Sequence, residues 1–395
     1  MPTAPRAPSG AAQRLVALAA GAPSRRPNVR SLAMFAANST CRLATLGFAA
    51  RVDFDALLSG TRYAAPYGQS PFAFRRGNRF EERLRQDGHA PMLALLGEAL
   101  GYDVASARVE NLREGFGRGP NVMPARAERT ALLVGDILAG KRRAPNLLDG
   151  AVLGRVVGGQ AAYFEADAVA ARFEAPIHAG EIKSFPTVDG QADPDKVGAA
   201  IAQIAIYILL LRELVERTGG DPAVVSGDAL LITAKNTGLQ PTITVKPVGR
   251  EVDRARRILD EAPSVDDLAS SLPAKVPSFV EVYKGEESQR VEAAHQLAEQ
   301  VGTNYRPDCL SSCGFSRLCR DRAQSAGSPC RVGPQLLRLL PSVDSLDRAA
   351  ALAEGSPPAP HERSVAEQLT RAARYRALLA PDSAPSRTPK KKGRS

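Results

Sequence analysis

Between positions 151 and 218 the hydrophobic period of this chain changes, and that stretch constrains the fold more than any other. Segments 151–157, 161–169 and 177–185 are β-branched or alternating runs separated by Gly, Glu and Pro, the pattern of a three-strand meander. Residues 194–218 then carry a strong helical pattern that Gly219-Gly220 closes. Two further runs, 229–233 and 242–248, read as strands around a turn at 236–238. The expectation is an α/β fold, a mixed sheet flanked by helices. Helical patterns are expected at 31–46, 77–84, 91–100, 126–138, 250–261 and 287–301, with a Gly/Arg/Pro-rich loop at 113–124.

Glu181-Ile182-Lys183 falls in the third strand run. Side chains alternate along a strand, so Glu181 and Lys183 are expected on one face, with Ile182 and Phe185 bracketing them from the other. An adjacent strand can bring Asp167 beside them. Two carboxylates suit a hard cation such as Mg²⁺ or Mn²⁺. Such a cation polarises a phosphodiester and lowers the pKa of a bound water. Lys183 is then placed to orient or deprotonate that water, or to neutralise charge developing at phosphorus. Taken alone, Glu-x-Lys is a common exposed ion pair. Asp167 on the preceding strand and the helix that follows set this one apart. On that helix Gln203 and Tyr207 lie four apart, hence on one face, among Ile, Ala and Leu.

This set resembles the PD-(D/E)xK nuclease superfamily and, within it, the RecB-like branch. That branch includes the iron–sulfur exonucleases of CRISPR adaptation and the AddB-type subunits of recombination helicase–nucleases. The resemblance spans residues 31–330 and implies a restriction-endonuclease-like core. It implies Asp167, Glu181 and Ile182 at a Mg²⁺ or Mn²⁺ site, Lys183 as catalytic lysine, and Gln203 and Tyr207 as DNA contacts that support the site. Relatives carry Gly-x-x-x-His on an upstream helix, with the His on the metal. This chain has Gly77-Asn-Arg-Phe-Glu81, so Glu81 takes that ligand's place. Ala166 stands where Pro or Gly often precedes the aspartate. The long stretch from Glu81 to Asp167 implies an inserted helical lobe. His89 reads either as a substitute metal ligand or, more plainly, as a lone surface residue.

Four of the five cysteines lie between 309 and 330, which reads as an intracellular metal cluster rather than a disulfide framework. Cys309, Cys313 and Cys319, behind Tyr305-Arg-Pro, resemble the C-terminal half of the family's iron–sulfur staple. Cys41, followed by Arg42, stands in the place of its upstream fourth ligand. The resemblance thus implies a [4Fe–4S] cluster. The family usually has two residues between its first pair of C-terminal cysteines, and this chain has three. Cys330 is left over, so a zinc site built from Cys309, Cys313, Cys319 and Cys330 is the open alternative.

Charge agrees with a nucleic-acid partner. The chain holds 52 Lys+Arg against 42 Asp+Glu, a net +10, and a basic surplus favours polyanions. With no Trp, a base-stacking platform is not expected. The activity implied is a metal-dependent DNase, an exonuclease on DNA ends or single strands. The alternatives are a weakly catalytic or non-catalytic nucleic-acid-binding subunit of a helicase or defence complex, and an RNA-directed nuclease. The sequence shows no Gly-x-x-x-x-Gly-Lys-Ser/Thr, so ATP-driven unwinding would belong to a partner chain.

The expected organisation is a disordered segment at 1–30, a nuclease domain at 31–335, a helical extension at 336–380 and a disordered basic tail at 381–395 containing Lys390-Lys391-Lys392. Stretch 340–347 reads either as part of a DNA-binding helical hairpin or as a plain helical cap. The apolar run at 199–211, interrupted by Gln203, is short of the roughly 20 residues a bilayer needs. The apolar run at 15–22 is short for an export signal. No membrane association and a cytoplasmic setting are expected.

Overall fold

In the computed structural model of the chain, the described residues are 10–25, 41–64, 71–101, 105–119, 121–157, 160–171, 176–236, 238–260, 265–273, 275–306, 309–310, 313–327 and 334–379. They divide into two compact units, one within Met1–Thr303 and Asp308–Ser316, the other within Asn304–Pro307 and Arg317–Ser395.

The first unit opens with helices α1 (Gly10–Ala19), α2 (Arg42–Ala49), α3 (Phe54–Leu57) and α4 (Pro71–Leu100), followed by strand β1 (Val109–Asn111). Helix α5 (Val122–Leu138) leads into β2 (Leu147–Val157), β3 (Gln160–Ala170) and β4 (His178–Thr187). Helix α6 (Pro194–Arg217) crosses to β5 (Asp228–Lys235) and β6 (Pro241–Pro247). Helices α7 (Gly249–Asp260), α8 (Val265–Ser270), α9 (Phe279–Tyr283) and α10 (Glu287–Val301) follow. The six strands lie side by side in chain order. β1 runs parallel to β2 and β4 parallel to β5, while the other neighbours are antiparallel. The β4–β5 pair is parallel because α6 carries the chain back between them, as such a crossover requires.

Alternation puts an apolar layer on each side of the sheet. On one side Ile204, Ile208 and Leu211 of α6 pack with Phe164, Ala166 and Leu231. On the other, Phe80, Leu84, Met92 and Leu96 of α4 pack with Ala168, Ile182 and Leu230. The β2–β3 hairpin changes face partway along. Ala162, Phe164 and Ala166 point toward α6, whereas Ala168 and Ala170 point toward α4. The change occurs where Gly150, at φ +73°, sits between the pairs Asp149↔Ala168 and Ala151↔Ala166, opposite Asp167.

The five expected strands are present, and β2 starts four residues earlier than its 151–157 pattern. β1 was not expected; three residues are too few to display a period. The helices expected at 77–84 and 91–100 are two arms of α4, broken at Gln86–His89, where Asp87, Gly88 and His89 all have positive φ. The expected disorder of 1–30 is corrected in part: residues 10–19 form α1, with Leu15 only 2% exposed. Arg14 fixes that helix by donating to the carbonyls of Ala269 (3.1 Å) and Leu272 (3.3 Å) at the end of α8. Of the helix expected at 31–46, residues 31–40 lie outside the described residues, and α2 begins at Arg42. Lys196–Arg217 of α6 extends the 199–211 run at both ends and is long and apolar enough to cross a bilayer by length and composition. Its apolar side is buried on the sheet, so it is a core helix.

The second unit contains α11 (Ser316–Ser325), α12 (Pro334–Leu339), α13 (Leu346–Ala353) and α14 (Arg363–Leu379). Leu340, Val343, Leu352 and Val365 form its small core. Helix α13 is capped by the Ser345 hydroxyl, which accepts from the Arg348 N–H at 3.0 Å. Within the helical extension expected at 336–380, the chain turns at Ser342, φ +70°. The basic tail at 381–395 lies outside the described residues.

Candidate active site

Glu181 is in the middle of the sheet, paired with Leu231 on β5. The β3–β4 ladder runs as far as Ala168↔Gly180, and at the next step Asp167 uses its side chain instead. Its Oδ2 accepts the Ile182 N–H at 2.9 Å, which holds the aspartate at the level of Glu181. Lys183 Nζ donates to Glu181 Oε1. The other oxygen, Oε2, is buried with no hydrogen-bond partner among the described residues. Tyr207, buried on α6, brings its hydroxyl up to the same carboxylate without closing a bond to Oε2.

Burial, reinforced by the Asp167 charge, pushes the Glu181 pKa up to about 8 against the pull of Lys183 and Tyr207. Burial draws Lys183 down, but Glu181 first and then Asp167 and Glu81 outweigh it, so its pKa is raised. The Tyr207 phenol is held well above its ordinary value by burial and then by the two acids. A carboxylate that is both desolvated and half-satisfied is a poor resting place for a lone negative charge. It is a good one for a charge that meets a cation.

Asp167, Glu181, Lys183 and Tyr207 thus come together as the spacing predicts. Glu81 lies near enough for its charge to act on Lys183, and Arg85 holds its Oε2 at 3.0 Å. Helix α4 reaches β4 through Arg76, whose Nε donates to the Ser184 carbonyl at 3.0 Å. Ile182 packs its side chain into the α4 layer, so the group it can offer a cation is its main-chain carbonyl. Phe185, expected beside Ile182, packs instead with the α6 layer, the face its odd position shares with Glu181. Gln203 is half-buried one turn before Tyr207.

The sequence reading missed the cluster behind these residues. Asp149, 1% exposed at its side chain, accepts from Arg85 Nε (2.7 Å) and Arg113 Nε (3.0 Å) and pairs with His89 Nε2 (2.8 Å). His89 is therefore not a surface residue; the α4 break turns it inward. Arg113 continues to Asp167 Oδ1 at 2.8 Å and to Glu165. Arg126 takes the other oxygen of Glu165 at 2.7 Å and the Gly150 carbonyl at 2.7 Å. Gly150 makes room for this: a Cβ there would lie 2.6 Å from Arg113 Cγ and 2.8 Å from Arg126 Nη2. Burial pushes Asp149 up, but its bonds from His89 and Arg85, then Arg113, outweigh that and hold it well below the usual carboxylate range. A detectable signal was Asp149 itself, an acid at the head of an otherwise apolar strand run.

Among the described residues no three His, Cys, Asp or Glu side chains are arranged to hold a metal. Here Arg113 and Lys183 engage the carboxylates of Asp167 and Glu181. The donor set still fits a hard divalent cation, with two acids on adjacent strands and one buried oxygen lacking a hydrogen-bond partner among the described residues.

Cys41 is buried at the N-cap of α2, whose Leu43 N–H bonds to the Gly302 carbonyl at 3.1 Å. Cys313 is buried and Cys309 half-buried, and the Cys313 N–H bonds to the Cys309 carbonyl at 2.9 Å. Phe54 of α3 ties the two segments together. It covers Gly47 of α2 and stacks edge-on to Phe315 at 4.7 Å. Cys319 is buried on α11. Cys330 lies outside the described residues.

No family model and no curated protein matches the chain. A solved structure titled "Crystal structure of SSO0001" aligns with 43% of this chain and 84% of its own, at 13% identity and a TM-score of 0.18.

Proposed function

We propose that this chain is a metal-dependent nuclease with a restriction-endonuclease-like core, hydrolysing DNA phosphodiesters at ends or in single strands. The observation that carries the reading is the buried Glu181 carboxylate, with one oxygen on Lys183, the other without a hydrogen-bond partner among the described residues, and Asp167 and Tyr207 alongside. Asp167, Glu181 and the Ile182 carbonyl would hold Mg²⁺ or Mn²⁺, with Glu81 completing the acidic side. When bound, the cation supplies Lewis acidity and a water of lowered pKa. Lys183, one-third exposed at its side chain and bonded to Glu181, can orient that water or meet charge developing on the phosphate. Tyr207 steadies Glu181, and Gln203 lies one turn away on the same helix face, a DNA contact in this reading.

Cys41, Cys309, Cys313 and Cys319 as ligands of a [4Fe–4S] cluster form the second part of the proposal, supported by their spacing and thiol chemistry. A cytoplasmic role beside a helicase or defence-system partner completes it. The test is digestion of end-labelled linear and circular DNA, single- and double-stranded, with Mn²⁺ or Mg²⁺. Cation-dependent loss of linear substrate is expected. Intact DNA under every condition would contradict the proposal.

A further inference from the structure

Arg113 bridges three acids at once. Its Nε rests on Asp149, and its two terminal nitrogens reach Glu165 and Asp167. This contact bears directly on how a cation reaches the site. Asp167 has two oxygens; Oδ2 already accepts the Ile182 N–H, so Oδ1 is the oxygen more open to a cation, and Arg113 Nη2 sits on it at 2.8 Å. A divalent cation placed there would lie beside a permanently charged guanidinium, and like charges in a partly desolvated site repel strongly.

The geometry gives the guanidinium somewhere to go. Asp149 is 1% exposed and fixed from three sides, whereas Arg113 and Asp167 are 26% and 18% exposed at their side chains. The inner end of the arginine is therefore anchored while its outer end borders solvent. Gly150, without a side chain, leaves the space in which the arm lies.

We propose that Arg113 is a built-in stand-in cation for Asp167, which a divalent metal must displace before the site is loaded. The inference rests on the nuclease reading and deepens it: Arg113 is a positioning residue that keeps the acids in place while no metal is bound and lowers the site's affinity for metal. An arginine with a purely structural role would, on removal, weaken metal binding or leave it unchanged. A competitor, on removal, tightens it.

The experiment is a titration of the full-length protein with Mn²⁺, read by the paramagnetic resonance signal of the free ion. Arg113→Gln is expected to bind Mn²⁺ about tenfold more tightly than the unmodified chain, the usual size of a coupling between two mutually exclusive ligands. Arg126→Gln, which removes a cation from Glu165 but not from Asp167, is expected to stay within about twofold. Unchanged or weaker binding in folded Arg113→Gln overturns the proposal. If circular dichroism shows that variant unfolded, Arg113→Lys decides. Its single amine cannot span Asp149 and Asp167 together, so Mn²⁺ binding tightens if the proposal holds, and no tightening overturns it. Should the unmodified chain cleave DNA with Mn²⁺ while neither variant tightens, this inference alone fails. Should no form bind Mn²⁺, the nuclease reading fails with it.

Discussion

Gly150 lies opposite Asp167 at the point where the β2–β3 hairpin changes face, and its missing side chain is the space through which Arg113 reaches that aspartate. Backbone conformation and electrostatics meet at this one position. At φ +73° an alanine is strained, and its Cβ would collide with Arg113 and Arg126. Gly150→Ala is therefore expected to cost roughly 1–3 kcal/mol of stability. Chemical denaturation measures the loss. A variant as stable as the parent would mean that the turn tolerates a side chain after all.

The raised pKa of Glu181 makes a signed prediction. Its folded value of about 8 lies above the ordinary glutamate value, so between the two the folded state binds the proton that the unfolded chain has released. The stabilising contribution is full at acid pH and is lost as pH rises through about 8. Thermal melts of metal-free protein from about pH 5 to about pH 9 should show falling stability that Glu181→Gln flattens. Mn²⁺ needs the ionised carboxylate, so its affinity should rise over the same interval. Parallel pH curves for the two proteins would contradict the assignment.

Asp149 carries the opposite sign. Its folded pKa is depressed, so its contribution is present above the ordinary aspartate value and is lost as the solution is acidified. Replacing it with Asn leaves Arg85 and Arg113 facing a neutral group in a buried site. A loss of about 3–5 kcal/mol is expected, the usual penalty for removing one partner from a buried ionic cluster. Urea melts of Asp149→Asn supply the number, and a change within experimental scatter would show that the cluster is dispensable.

Protein purified without oxygen is expected to be brown and to contain iron, and Cys41→Ser is expected to bleach it. Elemental analysis separates the alternatives. Zinc in place of iron, lost in Cys330→Ser and retained in Cys41→Ser, would move the metal to the C-terminal cysteines alone.

Much of this architecture is legible in the chain because it rests on periodicity. Strands β2 to β5 and helix α6 bury long apolar faces, and their patterns show it. Asp167, Glu181, Lys183 and Tyr207 were found because strand alternation and helix spacing bring them together. What escaped depends on single backbone events. Asp149-Gly150 has the composition of a turn, yet lies within β2, where tertiary packing overrides it. His89 looked exposed because its inward turn needs three consecutive positive φ values in the break of α4, and no residue period signals that. Arg113 belongs to a Gly-rich loop whose partners are 36 to 54 residues away.

The most direct measurement compares the parent chain with Lys183→Ala on end-labelled linear DNA, scoring Mn²⁺-dependent digestion and DNA binding together. Lys183 borders the site without being one of the acids that would hold the cation, so its loss should abolish cleavage while DNA is still bound. Equal digestion by both proteins would show that hydrolysis, if present, does not take place at Glu181 and Asp167.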